Sequence, residues 1–555
     1  MPIFLKAKPD MLVVTMGKLS SDEFKDALAR LKSVPGRNWD PPTKENQFPK
    51  DADTALRLMQ MLQPVADAES QALVRNHAQK VAEALVTKLP EDAESGLPYA
   101  DDLRPYQRSA IAWLQDHPKS ILADEMGLGK TVQAIGTVQQ FYLSDEGELP
   151  ATLVVCPNAV RGTWEREFGR WAEQDVQVID GKTAAKRRKQ LETAVPVVVV
   201  NWEKLRLMPE LARVKWSAVI ADEAHRAKNR EAQQTQALWK LTAPVQLALT
   251  GTPIMNHPGE LWSILRWLKP EQFADHVKGG GYWPFHYSYV DEYQAAYGTV
   301  VTGVRNPDQL RFLLSDKLVR RMKKKVLKEL PDKLPTQVIE VELSAAERKL
   351  YEEVDEALML DMAKFVAEND DITMDDLLDM PLEKLKGLVP NGGARMAKLR
   401  QITAGAKVRY AVELIRDEPE TPVAAFTWHV PAAQALHDAL EKGKPKLRVG
   451  LIAGQGGDAN ATAAEFQAGD FDHIVCTIAK GGVGLDMYRS SHPLMVEEDW
   501  VPSNNDQAID RTHRFGQKNA VTPRVLRVPG TIDTGKIAPA NALKSRIATQ
   551  VLGDH

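Results

Sequence analysis

Short aliphatic runs punctuate this chain, each followed by a stretch whose apolar positions recur at helical spacing. One set occupies residues 121–123 (ILA), 153–156 (LVVC), 197–200 (VVVV), 218–221 (AVIA) and 246–249 (QLAL). A second set, 423–426 (VAAF), 448–452 (RVGLI), 473–476 (HIVC), 494–497 (LMVE) and 524–528 (RVLRV), repeats the plan. Runs that are apolar without a polar face predict strands buried on both sides, and parallel strands need helical crossovers between them. The pattern therefore predicts an α/β chain with two parallel-sheet lobes, each with its chemistry at the carboxyl edge of the sheet.

Other segments break the alternation. Residues 1–98 read as a small accessory region: an apolar run at 11–15, helical spacing at 20–31, a turn-rich stretch at 35–49 and an amphipathic helical pattern from 53 to 89. The first lobe is expected over 99–270, a helical insertion or linker over 271–405, the second lobe over 406–530 and an amphipathic brace over 531–555. Within the linker, 318–333 (LVRRMKKKVLKELPDK) places Arg320, Arg321, Lys323, Lys324 and Lys325 at helical spacing. Such a run either lines a groove for phosphates or forms a solvated helix face. The acidic stretch 352–383 repels DNA and reads as a projecting insertion, and the basic run 182–189 reads as an exposed helix.

Composition narrows the function classes. A chain of 555 residues is too long for one core, so three or four structural units are expected. Net charge is −4, so any nucleic-acid contact must come from local basic patches. The two cysteines, Cys156 and Cys476, sit in apolar runs, as core residues of a reducing compartment rather than metal ligands. No stretch has the length of a membrane span, and the first fifteen residues lack a secretory pattern, so a cytoplasmic chain without a membrane partner is expected.

The chemistry concentrates in 121–131, ILADEMGLGKT. A strand, a tight turn with Gly127 and Gly129, and a helix opened by Lys130 and Thr131 have the order of a phosphate-binding loop. Lys130 would reach the outer phosphates of ATP, and Thr131 would offer its hydroxyl to Mg²⁺. Asp124 stands where the plain GxxxxGK[ST] pattern has glycine. The second signal is 219–225, VIADEAH, an apolar strand ending on an acidic pair. There Asp222 would hold the metal and Glu223 would orient the attacking water. Upstream, Gln107 is either an adenine reader or a surface amide. Thr250, Gly251 and Thr252 of TGTP, following a strand, form either a plain turn or a γ-phosphate sensor that couples the lobes. In 507–517, Arg511 and Arg514 share one helix face, suited to supplying positive charge to a transferring phosphoryl group.

The ordered set DEMGLGKT, CPNAVRGTWEREF, DEAH, LTGTP and QAIDRTHRFGQ resembles the SWI/SNF-type ATPases of helicase superfamily II over about residues 103–533. Asp124 fits that branch. The segments 282–331 and 399–408, with Pro35, Gly36, Arg37, Trp39 and Phe48, resemble the HARP-type annealing helicases. The resemblance implies RecA-like lobes, ATP and Mg²⁺ as cofactors, and translocation on double-stranded, forked or branched DNA without sequence choice, with rewinding of separated strands. It implies roles for Asp124, Gly127, Gly129, Gln107 and Gly484 at the nucleotide and for Gln507 in coupling. Arg161, Thr163, Trp164, Thr427, Trp428 and Lys480 are the candidates for the DNA track. A strand-separating DNA or RNA helicase, a remodeller that displaces a protein from DNA and a catalytically silent binding scaffold, the last opposed by intact Lys130, Glu223, Arg511 and Arg514, are the rival readings. A monomer working beside a single-strand-binding or repair protein, in a bacterial or phage-infected cell, is the expected setting.

Overall fold

The computed structural model describes residues 3–553 apart from 19, 35–36, 51–53, 56–57, 60–61, 63, 73–91, 143–150, 193–194, 278, 296–297, 370–371, 375–376, 378–379, 381–384, 386, 455 and 483. Pro35, Gly36, much of the amphipathic pattern over 53–89 and part of the acidic stretch thus lie outside the described residues. The chain divides into two compact units: Met1–Asp291 with Gly303–Arg321 and Ile547–His555, and Glu292–Thr302 with Met322–Arg546.

The first unit holds a seven-stranded sheet in the order Leu318–Val319, Lys119–Leu122, Val245–Leu249, Ala218–Asp222, Thr152–Cys156, Val197–Asn201, Val176–Val178. Every pairing in it is parallel. Its central strands are buried on both faces, which is why they read as unbroken aliphatic runs rather than as alternation. The helix Lys130–Tyr142 lays Ala134, Ile135 and Val138 into the same core as Val154, Ile220 and Leu247. The first strand, Leu318–Val319, comes from far along the chain and was not evident in the pattern. It sits inside the basic run 318–333, which therefore is not one helix: a two-residue strand is followed by the short helix Lys323–Val326.

Residues 3–66 of this unit form a five-stranded sheet, ordered Asn38–Asp40, Glu45–Pro49, Met11–Met16, Ile3–Ala7, Val65–Ala66. The helix Ser21–Ser33 begins with a capping box, in which Ser20 Oγ accepts from Glu23 N and the Glu23 carboxylate accepts from Ser20 N. Leu31 of that helix packs with Leu5, Leu12, Val14 and Phe48.

The second unit carries a six-stranded sheet in the order Gln337–Glu340, Arg524–Arg527, Leu494–Met495, Ala424–Thr427, His473–Thr477, Val449–Ile452, again parallel throughout. Two long helices, Ala345–Ala367 and Gly392–Asp417, pack together in the same core. The α/β architecture of two parallel-sheet lobes is as the hydrophobic pattern predicts.

Candidate active site

At the carboxyl edge of the first sheet, three consecutive sheet neighbours deliver the chemistry. Strand Lys119–Leu122 runs into the phosphate loop, Val245–Leu249 into Thr250–Gly251–Thr252, and Ala218–Asp222 ends on the acidic pair. Gly127 and Gly129 adopt φ of 84° and 75°, values that side chains resist, so glycine at both positions lets the loop curl with its N–H groups available. A Cβ at Gly129 would lie 2.5 Å from Gln107 Nε2, which shows how closely that amide is packed against the loop.

Gln107 is 8 % exposed, and both ends of its amide are engaged: Oε1 accepts from Arg104 N at 2.9 Å and Nε2 donates to Leu128 O at 3.2 Å. It braces the phosphate loop rather than standing open to read a base. Asp124 also differs from its expected role. Its side chain is fully buried, and the carboxylate takes Arg321 N and Nε at 3.0 Å each, Arg321 Nη2 at 2.5 Å and Gln133 Nε2 at 3.1 Å. It anchors the loop to Arg321 and Gln133.

Lys130 Nζ donates to Asp124 O at 2.8 Å. Although part of the side chain reaches the surface, surrounding protein desolvates the ammonium and lowers its pKa, against the attraction of Glu223, Asp124 and Asp222. Asp222 is shifted upward, first by burial and then by the neighbouring Glu223 charge. Its Oδ2 accepts from Trp164 Nε1 at 2.9 Å, its Oδ1 from Glu223 N at 3.0 Å, and its carbonyl from Trp202 Nε1 at 2.9 Å. Glu223 has φ of 51°, a left-handed conformation costing on the order of 1–3 kcal/mol, kept where the surroundings hold it. Beside it, His225 Nδ1 lies 3.2 Å from Glu223 Oε2 and 3.1 Å from Thr250 Oγ1, and Thr250 Oγ1 accepts from Thr252 N at 3.1 Å. His225 thus links the acidic pair to the TGTP loop, and nothing in the local spacing had singled it out.

Two of the expected track residues are buried. Trp164 is 1 % exposed with its indole committed to Asp222, so it orients an acidic side chain and cannot meet a DNA strand. Thr427 is fully buried, its hydroxyl donating to His429 O at 3.1 Å. Arg161 and Thr163 are part-exposed, and Thr163 Oγ1 accepts from Arg166 at 3.3 Å. Trp428 is 38 % exposed with its ring over the Arg400 guanidinium at 4.2 Å, and Lys480 is part-exposed on the short helix Ile478–Gly481. The basic run also turns largely inward. Arg320 donates to Ala123 O and Gly251 O, while Lys323 is 1 % exposed; only Lys324 and Lys325 face solvent among its five cations named above.

In the second unit, helix Pro502–Ile509 ends before Arg511 and Arg514, which lie in the turns that follow rather than on one helix face; Arg511 is 4 % exposed and its Nη2 donates to Gly482 O. Arg514 donates to Asp486 Oδ1 at 2.5 Å and to Asp510 O at 3.3 Å. Gln507 is buried, and Gly484 has φ of 73°. Asp510 lies 3.0 Å from both Lys323 Nζ and Lys333 Nζ. Burial works to raise its pKa, and the two ammonium groups overcome this and hold it well below the carboxylate range.

The donor set suits a nucleoside triphosphate with its magnesium. Lys130, loop N–H groups and a helix start provide for phosphates, and Thr131, Asp222 and Glu223 supply hard oxygen donors of the kind Mg²⁺ takes alongside substrate phosphates. The Glu223 charge adds to burial in raising the Asp222 pKa, a repulsion that a divalent cation relieves. Among the described residues no group of three or more His, Cys, Asp or Glu side chains is placed to hold a metal by itself.

Comparison with known proteins adds to this geometry. The model of the SNF2-related domain matches residues 106–387, and that of the helicase conserved C-terminal domain matches residues 406–516. Chromodomain-helicase-DNA-binding protein 8 of Xenopus tropicalis is 29% identical over 484 residues, covering 76% of this chain and 20% of that protein. Its Homo sapiens counterpart is 30% identical over 468 residues, covering 76% of this chain and 17% of that protein. The chain thus spans about a fifth of the length of these relatives. The Sulfolobus solfataricus SWI2/SNF2 ATPase core in complex with dsDNA aligns at 23% identity and a TM-score of 0.39, covering 84% of this chain and 97% of that one.

Proposed function

The chain belongs to the SNF2-related family, and from that premise we propose that it is a DNA-dependent ATPase that translocates on double-stranded or branched DNA. One observation carries the reading: Lys130, Asp222, Glu223 and Thr250 stand at one sheet edge, where Lys130 Nζ is held by Asp124 O and His225 links the Asp222–Glu223 pair to Thr250. ATP with Mg²⁺ supplies the phosphoryl chemistry when bound. Lys130 and the loop N–H groups would hold the outer phosphates, and Thr131 and Asp222 would hold the metal. Glu223, fixed by its backbone and by His225, orients the attacking water. Thr250 and Thr252 would report the outer phosphate to the rest of the loop, and Arg511 and Arg514 of the second unit are the candidates to supply positive charge to a transferring phosphoryl group.

The track is held by backbone contacts, which carry no base information and weaken with salt. Arg161, Thr163, Trp428 and Lys480 remain its candidates. Rewinding of separated strands, the finer reading, rests on the resemblance of 282–331 and 399–408 to annealing helicases. Action as a monomer in the cytoplasm, beside a single-strand-binding or repair protein, belongs to the same proposal.

The test is ATP turnover without nucleic acid, then with duplex, forked and single-stranded DNA and with RNA, at two salt concentrations. Stimulation by duplex or forked DNA that fades with salt supports the translocase. Stimulation by RNA or single strands alone moves the reading to a strand-separating helicase. Glu223→Gln should keep ATP and DNA binding and lose turnover by orders of magnitude; unimpaired hydrolysis would remove Glu223 from its role.

A further inference from the structure

We propose that the segment Arg320–Lys323 is a two-ended strap that transmits nucleotide occupancy from the phosphate loop to the Arg511–Arg514 segment, with the Arg321–Met322 junction as its pivot. This rests on the ATPase reading above and names a device that the reading does not require.

The first end is built into the phosphate loop. Strand Leu318–Val319 adds a ladder to the strand that feeds the loop, and the ladder continues past it, with Ala123 N donating to Val319 O at 2.8 Å and Glu125 N to Arg321 O at 3.0 Å. Arg320 Nη1 donates to Ala123 O at 2.6 Å and Gly251 O at 3.0 Å, so one guanidinium spans the phosphate loop and the TGTP loop. Arg321 is gripped by the buried Asp124 carboxylate, by Gln133 Oε1 at 2.8 Å and by Tyr106 O. A shift of the loop by a bound phosphate must therefore move Arg321 with it, because an ion pair with one wholly buried partner is costly to break.

The second end is equally fixed within the other unit. Lys323, 1 % exposed, donates to His513 O at 2.9 Å and pairs with Asp510. Lys333 pairs with the same carboxylate, and His513 Nε2 donates to Pro331 O at 2.7 Å. Asp510 and His513 are the residues just before Arg511 and Arg514. One residue, Met322, separates Arg321 from Lys323, so the two anchorages are joined by almost no free chain. A tether this short transmits displacement, whereas a flexible one absorbs it.

Inserting two glycines between Arg321 and Met322 keeps both anchorages and removes the stiffness. The thermal midpoint should stay unchanged and ATP affinity within about twofold, while turnover stimulated by duplex DNA falls about tenfold, in the usual range of coupling between sites. Hydrogen exchange should show the phosphate loop still protected by a non-hydrolysable ATP analogue with Mg²⁺, and nucleotide-dependent protection of residues 507–517 lost. Should the insertion disturb folding, Met322→Gly keeps the length and should lower stimulation about threefold. Undiminished stimulation and protection in a folded insertion variant would overturn the strap alone. A wild-type chain without ATP binding or DNA stimulation would remove the ATPase reading and the strap together.

Discussion

Replacing Asp124 by glycine would restore the plain phosphate-loop pattern, yet the structure says that it should damage the loop. The Asp124 side chain has no exposure and meets the Arg321 guanidinium at 2.5 Å, with the Arg321 side chain only 10% exposed. Removing one partner of a buried ion pair leaves the other charge uncompensated, at a cost of about 3–5 kcal/mol. Arg321 would keep its bonds to Gln133 Oε1 and Tyr106 O, which argues for the lower end, about 3 kcal/mol. That is a large part of a typical domain stability of about 5–15 kcal/mol, so the fold survives while the loop loses its anchor. The substitution would also loosen the backbone whose carbonyl receives Lys130 Nζ. Urea unfolding followed by tryptophan emission, fitted as two transitions, should show one transition falling by this amount. ATP affinity should fall about tenfold or more with it. Asp124→Asn, which keeps the shape and some of the hydrogen bonds, should lose about half as much. An unchanged urea profile, or tighter ATP binding in Asp124→Gly, would refute the anchor argument.

Other outcomes follow from neighbouring contacts. Trp164→Phe removes a hydrogen bond to a carboxylate, worth about 1.5–3 kcal/mol, so turnover should drop about tenfold or more with DNA affinity unchanged; a loss confined to DNA affinity would return Trp164 to the track. Asp486→Ala releases Arg514 from a partner that is 57% exposed, and such pairs are worth up to about 1 kcal/mol, so DNA-free turnover should rise by no more than about fivefold. A fall in turnover would instead make Asp486 a support for Arg514. Burial lowers the pKa of His473 from 6.5 to about 4. Since the folded value lies below the unfolded one, its contribution is whole above pH 6.5 and declines as pH falls toward about 4, at most by about 3 kcal/mol. Urea midpoints across that window should fall in the wild type and flatten in His473→Gln, and parallel slopes would exclude the histidine.

Periodicity and motif order alone determined much of this protein. Unbroken aliphatic runs such as VVVV at 197–200 can only be strands covered on both faces, and helical spacing between them forces parallel pairing. The phosphate loop and the acidic pair were legible because their chemistry is local: glycines, Lys130 and Thr131 act within one turn of chain. Tertiary structure decided what depends on partners distant in sequence. Trp164 turns inward because Asp222 waits 58 residues later, a pairing that helical spacing cannot reveal. Asp124 is an anchor because Arg321 arrives from 197 residues away, just after an added strand of only two residues, too short to leave a periodic signal. The cations of 318–333 read alike as a charge run, but burial sorted them. Arg321 and Lys323 found buried carboxylates and turned in, while Lys324 and Lys325 stayed in water, where unpaired charge is cheapest to hold.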